Sequence, residues 1–507
     1  MIINIKALIV VLALAAAVFR LGKPIALQFS DELDFSRRRN VWLALTVTAF
    51  LSPSFWLFVL IATPLLVWAG RKDSNPLALY IILLHVIPPI PVDIPIVGIK
   101  QLFALDNYRL LSFCVLIPAA WRLTKLKNSS RIRGLTAMDF SILAFGFLQL
   151  INYVPPDLPN HAFMEDSATN VLRRGLLFLV DIYVLYFVAS RTCSSRRALI
   201  DVMSATCLAG ALMASVAIFE SVRSWLLYAN LGEGWGLGEA YGSQYGFYFF
   251  RGGFLRAQAA AGHALGLGYL LAIAFGFWLY LKSHVMSPQR RIAVATFFWL
   301  GLLASQARGP LLGAVAIYFA FSVLGPRAAP RVLKAVIVVS LLVGIVSLTP
   351  FGERVVNSIP YFSKSTDRAS VDYRQRLAER SWELIQLHPL LGDPLARTKM
   401  EDLRQGQGII DLVNTYAGVT LFYGSIGLLL FLAVIIVGLF KAYRTSREFA
   451  RRDPDYALLG TSLVACLLGT LLMIGDSFLL NSYEKFFYLL TGLAASYAYI
   501  GKITERR

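Results

Sequence analysis

The chain has 507 residues, of which 57% are hydrophobic and only 15% charged, and a water-soluble domain of this size has no core large enough to hide so much apolar surface. The formal net charge of +18 would suit a nucleic-acid binder, but the basic residues fall in short turns between apolar runs long enough for a bilayer, and no nucleic-acid partner is expected. Four cysteines, Cys114, Cys193, Cys207 and Cys466, lie within or beside those runs without paired spacing, so neither a disulfide framework nor a thiolate metal site is expected.

In chain order, the run Ile2 to Phe19 has the outline of a secretory signal, with Lys6 before an apolar stretch that includes Ala15-Ala16-Ala17. The many spans that follow make a retained helix the expected reading. Val41 to Ala69 reads as one tilted span or as a short hairpin divided at Ser52-Pro53-Ser54. Further runs follow at Leu199 to Ala217, Leu265 to Leu281, Val332 to Leu348, Ile426 to Phe440 and Tyr456 to Ile474. Basic turns between them, at Arg122 to Arg133, Arg191 to Arg197, Lys282 to Arg291, Arg327 to Lys334 and Lys441 to Arg452, are predicted to be cytoplasmic, with the C-terminal Lys502, Arg506 and Arg507. The loops 154–172, 220–260 and 350–412 lack that bias and face outward.

The expected fold is therefore all-α, a polytopic transmembrane helical bundle of about 14 spans with a partly helical periplasmic loop between late spans. Its predicted organisation is an N-terminal and central bundle over 1–349, a large periplasmic loop over 350–412 and C-terminal transmembrane helices over 413–507.

Arginines mark the outward loops. Within the longest loop, Val371 to His388 has a helical pattern ending at Pro389, and it carries Asp372, Arg374, Arg376 and Arg380. The 376/380 pair shares one helix face and suits an anion, although Asp372, Glu379 and Glu383 can equally pair with these arginines on a solvated surface. Arg308 lies in a tight outward turn, Ser305 to Pro310, and Arg256 precedes the span that begins near Gly262. For each of these the bland alternative is an interfacial residue snorkelling to the headgroups.

Three segments give a family likeness. They are Leu255-Arg256-Ala257-Gln258 with Gly262-His263-Ala264-Leu265-Gly266, then Ser305-Gln306-Ala307-Arg308-Gly309, and then a longer series. The series runs through Val371-Asp372-Tyr373-Arg374-Gln375-Arg376-Leu377, His388-Pro389-Leu390-Leu391-Gly392, Val413-Asn414-Thr415-Tyr416 and Tyr423-Gly424-Ser425-Ile426-Gly427-Leu428. In this order they resemble the O-antigen ligases and Wzy-type polysaccharide polymerases, particularly the exopolysaccharide branch. Three departures stand out: the usual His-Pro is His263-Ala264, Ala307 stands at the second Ser of the family's Ser-x-Ser-Arg-Gly turn, and the histidine that ligases commonly place before the Asn is Val413. The last departure favours polymerase over ligase and leaves the general base unassigned.

The resemblance implies an enzyme joining undecaprenyl-diphosphate-linked oligosaccharide units at the periplasmic face of a bacterial inner membrane, with a chain-length co-polymerase as a possible partner. A sugar hydroxyl attacks an anomeric carbon, and polyprenyl diphosphate leaves. Guanidinium groups can neutralise that leaving group in place of a divalent metal, so no metal or cofactor is expected. The expected catalytic residues are Arg374, Arg376, Asp372 and His263, and Arg256, Arg308, Arg380, Asn414 and Tyr416 are expected to bind diphosphate or glycan. His388 and Asp411 are further candidates for the base. His263 can equally be a helix-packing residue.

Other features point elsewhere. Asp453-Pro454-Asp455 has a metal-binding outline but sits in a basic turn without a nucleotide-binding domain. Trp225, Tyr228, Trp235, Tyr241, Tyr245 and Tyr248 crowd one outward loop, where they could stack on sugars or form an interfacial belt. Asp181, an acid within an apolar run, is the best argument for a rival reading as a lipid-linked sugar transporter or flippase.

Overall fold

In the computed structural model the described residues are 2–94, 102–125, 135–152, 168–237, 248–251, 253–325, 368–404, 410–479 and 482–505. The expected span Val332 to Leu348, the basic turns at 127–133 and 327–334, the acids Asp157, Glu165 and Asp166, and Tyr241, Tyr245, Arg506 and Arg507 lie outside them.

The described residues are mostly helical. Helices α1 (Ile2–Ala26), α2 (Glu32–Leu51), α3 (Phe55–Lys72) and α4 (Pro76–Leu84) open the chain. Next come α5 (Asn107–Leu111), which runs through a π-turn at Ser112–Leu116 into α6 (Ile117–Lys125), and α7 (Ala137–Ile151). A second π-turn, Leu179–Tyr183, joins α8 (Ala168–Phe178) to α9 (Val184–Thr192). Then follow α10 (Arg196–Arg223), the short α11 (Leu231–Gly234), α12 (Ala264–Leu281), α13 (Pro288–Ser305) and α14 (Arg308–Leu324). The chain closes with α15 (Arg368–Leu387), α16 (Thr415–Phe449), α17 (Pro454–Gly475) and α18 (Ser482–Glu505). Two minimal antiparallel ribbons, Val92–Asp93 with Ala104–Leu105 and Phe250–Arg251 with Phe254–Leu255, trim the loops.

This is an all-α membrane protein, but a count of about 14 spans is not supported. Among the described residues six helices are long and apolar enough to cross a bilayer, α1, α3, α10, α12, α16 and α17, while α7 and α14 are apolar but shorter. The α5–α6 and α8–α9 runs are continuous through their π-turns, α4 stops after nine residues, and α2 carries Glu32, Asp34 and three arginines in two turns. The division at Ser52-Pro53-Ser54 is real, because Ser54 caps α3 by accepting the Leu57 N–H.

Burial sorts the spans. The most apolar 18-residue window of α12 is 94% buried and that of α10 83%, against 28% for α1 and 33% for α3. A helix apolar on all sides belongs at the centre, and one whose apolar surface stays open faces lipid. Several buried charges at the centre are paired: Arg38 bonds Asp73 and Asp201 at 2.7 and 2.8 Å, and Arg191 bonds Asp139 at 2.8 Å. Asp181 belongs to this class. Its carboxylate accepts from Arg109 at 3.0 Å and from Lys485 at 3.0 Å, and Lys485 also takes the Asp181 carbonyl that the π-turn frees. Asp453 and Asp455 share Arg196, which pins the α9–α10 turn to the α16–α17 turn. Trp235 and Tyr228 are buried, and the Trp235 indole donates to the Ala49 carbonyl at 2.9 Å, so these two rings are packing anchors.

Above one end of the bundle sits a cap. Helix α15 and the 3₁₀ segment Ala396–Leu403 enclose a small separate core of Leu377, Leu384, Ala396, Met400, Leu403, Ile410, Leu412 and Leu421. α16 runs from Asn414 beneath the cap to the basic turn at Arg447–Arg452 at the opposite end.

The cap is fastened by a break in α16. Gly424 stands at φ 66°, ψ −171°, and the backbone of Pro389–Gly392 fills the gap: Ser425 N–H donates to the Pro389 carbonyl at 2.8 Å, and Ile426 N–H to that of Leu390 at 3.2 Å. A Cβ at Gly424 would strike the Leu390 carbonyl, and one at Gly392 (φ 73°) the backbone of Tyr423 and Gly424. Asn152 on the far side of α7 donates to the carbonyls of Leu391 and Phe422 and closes the joint.

Candidate functional site

Five segments meet beneath the cap. The first is the ribbon-and-turn stretch that carries Arg256. Its backbone is held by Ala257 N–H donating to the Ala304 carbonyl at 3.0 Å and by Glu220, a fully enclosed carboxylate at the end of α10. Glu220 accepts from Leu227 N–H at 3.0 Å, Gln258 N–H at 3.0 Å and Ala259 N–H at 2.9 Å. Those three donors suit a charged acceptor and fix a backbone in which Ala259 takes a positive φ of 46°. Arg256 itself reaches the Ser305 carbonyl through Nε at 3.3 Å.

The second segment is the turn between α13 and α14. Gln306 adopts the left-handed conformation, φ 48°, so the chain reverses within two residues and Arg308 opens α14 beside Arg256. Enclosure by protein, and then the neighbouring charges of Arg251 and Arg308, push the Arg256 guanidinium down to about 10. It remains cationic at neutral pH, and this corner of the molecule holds cations that repel one another.

The third segment is the end of α17. A Cβ placed on Gly309 would stand 2.8 Å from Asp476 Oδ2, so the Asp476 carboxylate lies directly against the α14 N-terminus. Ser477, the next residue, shares a hydrogen bond of 3.0 Å with the Tyr269 hydroxyl. Tyr269 stacks on Tyr483 with ring centroids 4.8 Å apart, and the Tyr483 hydroxyl lies 2.8 Å from His263 Nδ1. α12 and α18 thus supply the fourth wall. His263 caps α12 by accepting the Leu265 N–H at Nδ1. Enclosure and then the charge of Arg256 hold its imidazole below the usual range, down to about 4, so the ring is neutral at neutral pH although one edge stays exposed.

The cap supplies the fifth. Arg374 reaches down from α15, and its Nη1 bonds Asp476 Oδ1 at 2.7 Å, with both side chains half-exposed. Asp411 is close by: burial raises its pKa, opposed by the charges of Arg374 and then Arg397, while its backbone is tied to the Tyr373 hydroxyl. The result is a closed rim, Arg256, Ser305, Arg308, Asp476, Ser477, Tyr269, Tyr483 and His263, with Arg374 above it.

The rim separates the expected residues. Arg256, His263, Arg308 and Arg374 come together. Arg376 and Asp372 lie roughly 200° round α15 from Arg374 and are exposed, with no hydrogen bond or ion pair among the described residues. Arg380 pairs with Glu383 at 2.8 Å and with the Lys399 carbonyl at 3.2 Å, which bolts α15 to the 3₁₀ segment. Asn414 caps α16 through the Ala417 N–H at 3.1 Å, and the Tyr416 hydroxyl donates to the Leu471 carbonyl at 2.6 Å. His388 is exposed at the far end of α15. Asp476, Tyr483, Tyr269 and Glu220 were not expected, since each is a single polar residue at the end of an apolar run.

Residues 292–432, from α13 to the upper half of α16, match the family model described as O-antigen ligase, Wzy_C. That stretch is similar to the O-antigen ligase family. Members of this family are glycosyltransferase-like enzymes, ligases or polymerases that act on lipid-linked glycans. The matched stretch contains Arg308, Arg374 and the Gly392/Gly424 joint, and the rim is completed from outside it by Arg256, His263, Asp476 and Tyr483. No curated protein matches the chain.

Proposed function

We propose that this protein is a polymerase, joining undecaprenyl-diphosphate-linked oligosaccharide units into exopolysaccharide or O-antigen at the periplasmic face of a bacterial inner membrane. The observation that carries the reading is the Arg374–Asp476 contact, because it brings the cap arginine onto the Arg308 turn and gathers three guanidinium groups from three elements at one rim. A diphosphate is the ligand that such a set of cations fits, since each guanidinium offers paired donors to phosphate oxygens and stays charged as the leaving group forms. The reaction then needs no divalent metal. The charge alternation of the loops supports an outward cap, and Val413 in place of the ligases' histidine supports polymerase over ligase. The salt-bridged state of Asp181 weakens the transporter reading, because a carboxylate held by Arg109 and Lys485 is a structural ion pair rather than an open proton site.

The test is purified protein in detergent with lipid-linked repeat units, followed by glycan length on a gel. Chain growth is expected and requires no second compartment. Transfer of a single preformed chain to a lipid or protein acceptor, with no growth, would make the protein a ligase, and no transfer at all would refute the enzyme reading.

A further inference from the structure

Asp476 is in an unusual place for a surface carboxylate. It bonds the cap arginine, it lies against the backbone of the α14 N-terminus, and its neighbour Ser477 is built into the tyrosine wall that ends at His263. Among the described residues it is the acid that touches both the cap arginine and the Arg308–Gly309 turn. From this we infer that Asp476 is the general base of the proposed glycosyl transfer, masked by Arg374 until the donor arrives. The inference rests on the function proposed above.

The energetics favour such an exchange. The Arg374 and Asp476 side chains keep 44% and 30% of their surface exposed, and an ion pair so open to water contributes little stability. A diphosphate offers Arg374 several charged oxygens and two parallel hydrogen bonds, a stronger partner than one carboxylate oxygen. Donor binding therefore draws Arg374 away and leaves the Asp476 carboxylate free, beside the reacting centre, at the moment a base is needed. The acceptor hydroxyl gives its proton to Asp476 as its oxygen bonds to the anomeric carbon. The bond from that carbon to the diphosphate oxygen breaks, and its electron pair leaves with the diphosphate, whose charge is balanced by Arg256, Arg308 and Arg374. Asp476 then returns its proton to water and recaptures Arg374 when the diphosphate departs.

Other bases fit less well. His263 accepts the Leu265 N–H at Nδ1, so the neutral ring carries its proton on Nε2 and has no free lone pair. Asp372 is on the opposite side of α15 from Arg374. The charges of Arg374 and then Arg397 act on Asp411, and its backbone is tied to the Tyr373 hydroxyl rather than to the Arg308–Gly309 turn.

Asp476→Asn provides the test, because the amide oxygen still accepts from Arg374 while the group takes up no proton. With purified protein and lipid-linked repeat units, Asp476→Asn is expected to turn over about 10²–10⁴-fold more slowly with KM for the donor not raised. Asp476→Ala should be slow too, and partly rescued by added formate. Gly309→Ala gives an independent arm, since its new methyl group displaces the Asp476 carboxylate and should slow turnover in the same way. Near-normal turnover by Asp476→Asn overturns the assignment. Should that variant not fold, formate-insensitive Asp476→Ala or a fast Gly309→Ala overturns it instead. A wild-type protein that joins no repeat units condemns the proposed function, whereas an active wild type with an active Asn variant condemns only the base.

Discussion

Two stretches at the cap end look alike in sequence and do different work. Ser305 to Gly309 and His388 to Gly392 are both short turns that close on a glycine. In the first, the glycine leaves room for the Asp476 carboxylate and the turn presents the Arg308 side chain to the rim. In the second, the side chains are incidental: Leu390 and Leu391 are exposed, and what matters is the backbone that plugs the break at Gly424. One turn carries an arginine of the proposed site and the other fastens the cap. Residues that recur together in a family can thus be selected for a guanidinium or for the absence of a Cβ, and only their contacts tell which.

Substitutions can separate the two roles, and the largest effect should fall on the rim. Ala in place of Arg256, Arg308 or Arg374 is expected to cut polymer by at least about 10²–10³-fold, the loss typical of removing one group that stabilises transition-state charge, while folded protein stays at its normal level. Arg374→Lys should also be badly impaired, because the ammonium keeps the charge but loses the two-donor fork. Polymer yield per unit of membrane-inserted protein checks this, and near-normal polymer from all three Ala variants would remove the site.

At the joint the damage should appear in stability instead. Gly424→Ala forces a side chain into a left-handed backbone occupied by the Leu390 carbonyl and should cost about 1–3 kcal/mol or more, seen as a lower melting temperature in detergent. Any folded fraction should still polymerise. A stable but inactive Gly424→Ala would erase the distinction between the two turns.

Glu220 lies between these cases, as a positioning residue. Glu220→Gln replaces one of the two accepting oxygens by an NH2 group that faces the Leu227 N–H or the Gln258 and Ala259 N–H groups, and should cost about 1–3 kcal/mol. The Arg256 loop is loosened, so the rise in donor KM should exceed the fall in kcat, a split that simple destabilisation of the whole bundle would not produce.

The smallest effects are expected on the outer face of α15. Arg380 is spent on Glu383 and Lys399, and Arg376 is solvated, so Ala at either should change stability by no more than about 1 kcal/mol and polymer by less than about twofold on the same scale. A large loss of polymer from Arg376→Ala would mean that the substrate engages both faces of the cap helix.

The sequence by itself determined that the chain belongs in a membrane, because apolar runs cannot be hidden any other way; it singled out Arg256, Arg308 and Arg374, because cations in loops between apolar runs stand out against their surroundings, and His263 only through the family likeness. It could not sort them from Arg376, Arg380, Asn414 and Tyr416, since two arginines at i and i+2 look equivalent in sequence and point to opposite sides of a helix in space. Nor could it show that the Asp181 carbonyl in the π-turn accepts from Lys485, a partner more than three hundred residues away in sequence. Asp476 was invisible for the same reason. Alone at the end of α17 it is one acid after an apolar run, and it acquires a role only because Gly309 makes room for it and the break at Gly424 brings Arg374 within 2.7 Å. Local chemistry is written in the residue, but partnership depends on where distant segments stop, and only the packing of α14, α15 and α17 decides that.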